Sequence, residues 1–250
     1  MKVLFIGESW TIHMIHTKGY DSFTSTKYEE GATYLLHSLR DAGISIDYMP
    51  SQDVQIRFPN NLEELKKYDA IVLSDIGSNT FLLQNHTFYD RKVGANPLEL
   101  MKEYVAEGGG LLMIGGYLSF MGIEGKANYK HTVLAEVLPV ELVEGDDRVE
   151  IPQGVCPKSV KEHGITKQFT NWPPLLGYNR FTAKENAKTL VTIQTDPLLV
   201  VGTYEKGKTA CFASDCAPHW GTNEFMNWEH YQLMWVNILT YLSSKSTVSI

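Results

Sequence analysis

Three short stretches of the chain carry side chains that could do chemistry: Glu8-Ser9-Trp10, Gly116-Tyr117-Leu118-Ser119 and Asp215-Cys216-Ala217-Pro218-His219. Between them they offer carboxylates, hydroxyls, a thiol and an imidazole. Nucleophilic catalysis needs that set, with a nucleophile, a base within hydrogen-bond reach and a group that orients the base. Each member also has a plainer use. Glu8 could satisfy backbone amides, Ser119 could close a turn, and Cys216 could be a small buried hydrophobe. His219, between Pro218 and Trp220, could be a packed and satisfied imidazole. Trp10, Tyr117 and Trp220 could be core aromatics, or could wall a pocket for a sugar or another flat ligand. His13 and His16, or Cys211 with Cys216 and His219, lack the spacing of zinc sites, so no metal is expected. No phosphate-binding glycine motif occurs, and no cofactor is expected.

These stretches matter only if the fold brings them together, and each follows an apolar run. Val3 to Ile6 reads as a first, central strand. Leu111 to Ile114, set between Gly108-Gly109-Gly110 and Gly115-Gly116, reads as a strand buried on both faces. Thr209 to Ser214 reads as a third. If all three are parallel, their carboxyl ends share one edge, where open α/β sheets bind ligands. Glu8, Tyr117 and His219 are then expected to face one cleft.

The connecting elements support that layout. The spacing of Ala32, Leu35, Leu36 and Leu39 predicts a helix over residues 28–42, with Gly43 past its end. Residues 44–48 read as a strand, Asn61 as the cap of a short helix through Lys67, and residues 70–73 as a strand. Asn96-Pro97 starts a helix that Gly108 ends. Two segments, from Thr11 through Ser25 and over residues 79–95, lack a sustained period and are expected to be long loops. Residues 126–188 show few periodic runs and are expected to be strands and loops rather than a separate domain. Strands over 189–193 and 198–204 and a last helix with Tyr231, Met234, Trp235, Ile238, Leu239 and Leu242 on its apolar stripe complete the chain. The βα alternation predicts a mostly parallel, doubly wound sheet in a single domain, residues 1–250.

Composition narrows the partners. The chain has 250 residues, 43% hydrophobic and 20% charged, with a net charge of −7. No Lys/Arg cluster stands out, so neither nucleic acid nor an anionic membrane is an expected partner. Three cysteines without a C-x-x-C pattern fit a reducing compartment. The apolar run at the start is too short for a signal peptide, and no run of 18 apolar residues occurs. The reading is a soluble, cytoplasmic protein.

A set of segments spread over nearly the whole chain carries a resemblance: Gly7 to Trp10, Lys18 to Phe23, Gly115 to Phe120, Val137 to Val140, Gly164 to Thr166, Trp172 to Asn179, Asp196 to Gly202 and Ser214 to Trp220. The chain resembles the class I glutamine amidotransferase-like superfamily, in particular its "putative glutamine amidotransferase" branch. The resemblance implies a flavodoxin-like three-layer α/β sandwich. Members with glutaminase activity carry a cysteine nucleophile in a G-x-C-x-G elbow. Laid on that motif, Tyr117 takes the nucleophile position and Ser119 that of the second glycine, and His219 is the nearest match to the family histidine. A phenol, with a reference pKa near ~10, is a poor nucleophile at neutral pH.

The expected function is therefore an amidotransferase-like protein without the standard nucleophile, binding a small polar ligand such as a carbohydrate. Its reactive groups would be Tyr117, Ser119, His219 and Glu8, and its ligand contacts Ser9, Trp10, Gly116, Asp215, Cys216 and Trp220. One rival is a hydrolase using Cys216 or Ser119 with His219. Another is a structural or interaction protein. Extended backbone before Pro218 would send Cys216 and His219 to opposite sides, which favours a packed, structural thiol. A second copy of the chain is a further expected partner.

Overall fold

The computed structural model of this chain describes residues 1–244, so the last six residues of the expected domain lie outside it. Its strands, in chain order, are β1 (Lys2–Gly7), β2 (Ser9–Lys18), β3 (Asp21–Glu30), β4 (Ser45–Met49), β5 (Ala70–Ser74), β6 (Gly110–Ile114), β7 (Val140–Leu142), β8 (Arg148–Val155), β9 (Lys158–Ser159), β10 (Leu175–Asn179), β11 (Phe181–Ala183), β12 (Lys188–Ile193), β13 (Asp196–Tyr204) and β14 (Gly207–Phe212). Eight form one sheet in the order β4-β1-β5-β6-β14-β13-β12-β9. The first five are mutually parallel. Counting only those five, the order is 2-1-3-4-5, the flavodoxin-like winding. The antiparallel β13 and β12 extend the sheet on one side.

The parallel strands earn their central place through composition. β5 and β6 are buried at every position, and β1 at all but its first. A continuous apolar run with helices on both faces is what a parallel sheet requires. The helices Thr33–Asp41 and Tyr231–Ser243 touch each other and cover one face, and Pro97–Ala106 packs with the short helices Leu62–Leu65, Ser78–Leu82 and Leu134–Val137 on the other. The result is the expected three-layer α/β sandwich. Tyr231, Met234, Trp235, Ile238, Leu239 and Leu242 are buried as the last helix's stripe predicts. Asn96 caps its helix by accepting from Leu98 N at 3.0 Å, and Asn61 accepts from Glu64 N at 3.0 Å.

Three readings are corrected. The segment from Thr11 is no loop: it lies in β2 and β3, which pair over ten antiparallel rungs as a separate hairpin. Gly19, at φ +62°, sits first in its two-residue turn, as a primed turn favours. The hairpin takes Tyr28 to Glu30, so the helix expected from 28 begins at Thr33. The connection over 79–95 holds two short helices, Ser78–Leu82 and Asn85–Phe88. Residues 126–188 form strands, in the pairs β8–β10 and β7–β11, and loops as expected, but also the short helix Leu134–Val137.

Candidate functional site

The order of strand addition switches sides between β1 and β5, and ligands of open α/β sheets bind in the crevice that this switch leaves at the carboxyl edge. A cavity of about 330 Å³ lies there, lined by Glu8, Trp10, Asp75, Tyr117, Asp215, Pro218 and His219. Glu8 follows β1, Asp75 follows β5, Tyr117 follows β6, and Asp215 with His219 follows β14.

Backbone strain marks the floor. Glu8 has φ +52° and Asp75 φ +42°, in the left-handed region that non-glycine residues seldom occupy. Glu8 is held there by donating its N–H to Ser74 O at 2.7 Å and by its own carbonyl, which accepts from Gly31 N and Ala32 N. Its carboxylate accepts from Ser74 Oγ at 2.5 Å. Asp75 Oδ1 accepts from Leu118 N at 2.6 Å, which ties the β5 end to the β6 end.

The turn after β6 is pinned from beneath. A Cβ on Gly115 would stand 2.1 Å from Ala213 O, and Gly116 has φ +151°, so neither position has room for a side chain. Asn179 Oδ1 accepts from Gly116 N at 2.9 Å, and Asn179 Nδ2 donates to Gly116 O and to Asp147 Oδ1. Asp147 in turn accepts from Met121 N and Gly122 N. This buried network presents Tyr117 to the cavity. The Tyr117 ring meets the His219 ring edge-on at 4.5 Å, and the Arg148 guanidinium lies 4.9 Å above it.

The electrostatics follow from burial. Glu8, Asp75 and Asp215 crowd one floor, and the charged forms are disfavoured by lost hydration and by one another. Burial, then Asp215 and Asp75, push the Glu8 carboxyl well above the usual range. Burial, then Asp215, push Asp75 up to about 6. Burial also raises Asp215, although His219 and the Ala217 amide pull the other way. The Asp215 hydrogen bond raises His219 above the ordinary imidazole value against the opposing effect of burial. Asp215 Oδ2 stands 3.4 Å from His219 Nδ1. A carboxylate there favours the Nδ1–H tautomer and leaves Nε2 free to exchange a proton.

The remaining expected site residues lie elsewhere. Ser119 Oγ donates to Ile114 O at 2.5 Å and accepts from Asp75 N at 3.1 Å, so it closes the turn. Ser9 Oγ accepts from Ser51 N and donates to Gln52 Oε1. Gly116 contributes backbone alone. Trp220 is buried behind His219, stacked at 5.3 Å, with its indole N–H donated to Glu150 Oε2 at 3.0 Å. Cys216 is buried as well; its Sγ lies 3.5 Å from Ser74 Oγ and 3.9 Å from Glu8 Oε2. Burial, then Glu8 and Asp215, raise the thiol well above its ordinary value. Asp75 was missed, yet it follows an apolar strand as Glu8 does, and that rule would have found it. Arg148 and Asn179 come from the weakly patterned segment and had no such signal.

Among the described residues, Glu8, Asp215 and Cys216 are the group whose ligand atoms come close enough to hold a metal ion, all within 4.8 Å of one another. Burial raises the pKa of all three, so a metal would have to compete with protons for them. His13 and His16 stand on opposite faces of β2 and bond to Thr26 and Ser25.

The chain is similar over nearly its full length to two proteins of known structure. One is cytoplasmic protein STM3548 from Salmonella typhimurium, at 64% identity and TM-score 0.96, covering 97% of this chain and 99% of the other. The second is cytoplasmic protein STM1381 from Salmonella typhimurium LT2, at 64% identity and TM-score 0.95, covering 98% and 100%. A "putative thua-like protein" from Bacteroides uniformis shares the fold alone, at 13% identity and TM-score 0.57 over 96% of this chain and 90% of that one. No curated protein matches the chain. The family model "Putative glutamine amidotransferase" matches residues 2–244, and the chain belongs to that family.

Proposed function

We propose that this protein binds a small polar ligand of the carbohydrate class in the cleft at the β1/β5 switch and does not hydrolyse glutamine. The observation that carries the reading is the cavity itself. Its lining combines the aromatic side chains of Trp10 and Tyr117 with three carboxyl groups and an imidazole. Aromatic faces suit the apolar C–H faces of a sugar, and carboxyls and imidazole suit its hydroxyls. Tyr117 at the position of the family nucleophile weighs against glutaminase chemistry.

A second reading, hydrolysis, draws on the Asp215–His219 pair. That pair could take a proton from a bound water or hydroxyl at Nε2. The forms that use Ser119 or Cys216 as nucleophile have less support. The Ser119 hydroxyl is committed to Ile114 O, and Cys216 is a buried thiol whose neighbours are Glu8 and Ser74. A cytoplasmic setting and a single-domain chain fit both readings, given two cytoplasmic relatives matched end to end.

Thermal unfolding monitored across a panel of neutral mono- and disaccharides, with amino acids and amides as comparators, tests the proposal. A saccharide that raises the midpoint, and that loses its effect in Trp10→Ala, supports it. Stabilisation by glutamine and by no saccharide would sink it.

A further inference from the structure

The cleft does not end at Trp10. Trp10 and Pro218 also line a second cavity, of about 500 Å³, together with Glu30, Gly31, Tyr34 and His37. Tyr34 and His37 in turn line a third, of about 450 Å³, with Asp41, Trp228 and Glu229. Neighbouring cavities that share side chains form one groove. It leads from the strand ends, past the hairpin root, and along the helix Thr33–Asp41.

That helix presents two faces. Leu35, Leu36 and Leu39 are buried in the core. Tyr34, His37, Ser38 and Asp41, at i, i+3, i+4 and i+7, share another face and line the groove. The stretch from Tyr34 to Asp41 is about 10 Å long at ~1.5 Å per residue. Two hydrogen bonds tie it to the opposite bank: Gln232 Nε2 donates to Ser38 O at 2.7 Å, and Tyr34 Oη to Asn227 Oδ1 at 3.5 Å. The Tyr34 ring also meets the Tyr231 ring edge-on at 5.5 Å, and Tyr34 stays 40% exposed.

The joint between the first two cavities is fixed as well. The Trp10 indole N–H is donated to Glu29 Oε2 at 3.1 Å. A Cβ on Gly31 would stand 2.8 Å from Glu8 Oε1 and 2.9 Å from the Trp10 ring. The Glu8 carboxyl of the cleft and the indole of the groove thus close on one bare stretch of backbone.

Charge narrows what fits. None of the residues lining the three cavities is Lys or Arg, while Glu30, Asp41 and Glu229 lie along the outer part. An acidic ligand would be repelled there. Trp10, Tyr34 and Trp228 bring aromatic rings to the groove, among carboxyl groups and the His37 imidazole. Rings suit the C–H faces of sugars and the polar groups suit their hydroxyls.

We propose that the groove is a run of sugar subsites, and that the ligand is an uncharged oligosaccharide of three or more units. One end occupies the cleft, and the rest crosses Trp10 onto Tyr34 and His37. This rests on the carbohydrate reading of the cleft and extends it. The cleft alone, at about 330 Å³, is near the lower limit of the ~300–1,000 Å³ usual for ligand sites. Further sugar rings gain contacts at Tyr34 and His37 that a monosaccharide in the cleft does not reach, so affinity grows with chain length.

Calorimetric titration of the full chain with malto-, cello- and manno-oligosaccharides of one to five units tests this. In at least one series, affinity is expected to rise about 10-fold or more from the monosaccharide to the trisaccharide. Tyr34→Ala and, separately, His37→Ala should each remove most of that gain, with circular dichroism and monosaccharide affinity unchanged. Both side chains are exposed, so the fold does not depend on them. Galacturonic acid oligomers should show no gain with length. A monosaccharide that binds as tightly as its longer homologues overturns the run of subsites and leaves the cleft reading standing. A gain that survives both variants, or that the galacturonic acid oligomers share, overturns it too. Absence of binding by any saccharide of any length overturns both readings.

Discussion

Asp215 and His219 face each other across the turn that follows β14, with Oδ2 3.4 Å from Nδ1. The carboxyl is buried and steadied by Ala217 N at 2.8 Å, while the imidazole reaches the cavity. Pro218 restricts the residue before it to an extended shape, and the turn around it returns His219 over Asp215. A strand end thereby becomes an acid–base pair whose reactive nitrogen faces the cleft.

That pairing should be visible in the titration of His219. Its pKa lies above the ordinary 6.5, first because of the Asp215 hydrogen bond. In Asp215→Asn the bond loses its charge while burial, which lowers an imidazole pKa, remains. NMR of the His219 ring carbons should show its pKa fall in the variant. The stabilisation that His219 supplies is complete below its unfolded value and fades as pH rises through the higher folded value. An unchanged pKa in Asp215→Asn would remove the pair as its cause.

Asp75 gives a stability signature of opposite origin. Its pKa rises from 3.8 to about 6 in the folded protein, so between those values the native state holds more protons than the unfolded state. Stability contributed at this residue therefore falls as pH increases from about 4 to 6. Asp75→Asn keeps an oxygen for Leu118 N and removes the titration. Urea unfolding should show a flatter decline over that window in the variant than in the unmodified protein.

Asn179 should be the most costly polar residue to truncate near the site. It is fully buried and makes three hydrogen bonds, to Gly116 N, Gly116 O and Asp147 Oδ1. Asn179→Ala would leave buried partners unsatisfied, at a cost of about 2–4 kcal/mol in urea unfolding. A change below ~0.5 kcal/mol, the size typical of surface positions, would show that the turn does not depend on it.

The sheet was legible because its parallel strands are apolar on both faces and are closed by glycines or polar residues. The same logic placed Glu8, Tyr117 and Asp215 at one edge, since residues that follow parallel strands must share it. The hairpin was not legible. Alternation is present only briefly: Trp10, Ile12 and Met14 alternate with Thr11 and His13, but Ile15 breaks the pattern and β3 is mostly polar, so the run was too short to stand out. Asn179 and Arg148 escaped for another reason. They reach Tyr117 from β10 and β8, whose place against the elbow depends on contacts distant in sequence: Asn179 N donates to Ala213 O and Leu176 N to Trp220 O. Type explained Ser119 and Trp220 only halfway, because a turn hydroxyl and a packed indole look in sequence like site residues.

Thiol reactivity separates the three cysteines. Cys156 is exposed, whereas Cys211 and Cys216 are buried with pKa values pushed up by burial. Thiolate is the reactive form, so alkylation at neutral pH should modify Cys156 first and leave the others largely intact in the folded protein. Peptide mass spectrometry after iodoacetamide treatment checks this. Rapid labelling of Cys216 would give it the reactive microenvironment that its neighbours argue against, and would promote the hydrolytic reading.

The final prediction concerns Tyr117 and glutamine. Burial raises the phenol above its ordinary value, and the Glu150 carboxylate adds to the rise. A phenolate at neutral pH is therefore scarcer here than for a free tyrosine, and Arg148, which acts the other way, does not reverse the shift. The Tyr117 and His219 rings cross at 88° with centroids 4.5 Å apart, and among the described residues no hydrogen bond joins the phenol to the imidazole as a nucleophile–base pair would need. The unmodified protein should release no ammonia from glutamine. Tyr117→Cys tests whether the lost thiol is the sole deficiency. A cysteine side chain is shorter and leaves His219 uncovered, while Asp215 still holds Nδ1, so the new thiol would share the cleft with the free Nε2. Glutaminase activity gained in Tyr117→Cys would mean that the rest of the machinery survives around an altered nucleophile. Ammonia release by the unmodified protein that disappears in Tyr117→Phe would mean that the phenol itself does the chemistry, and the carbohydrate-binding reading would have to be abandoned.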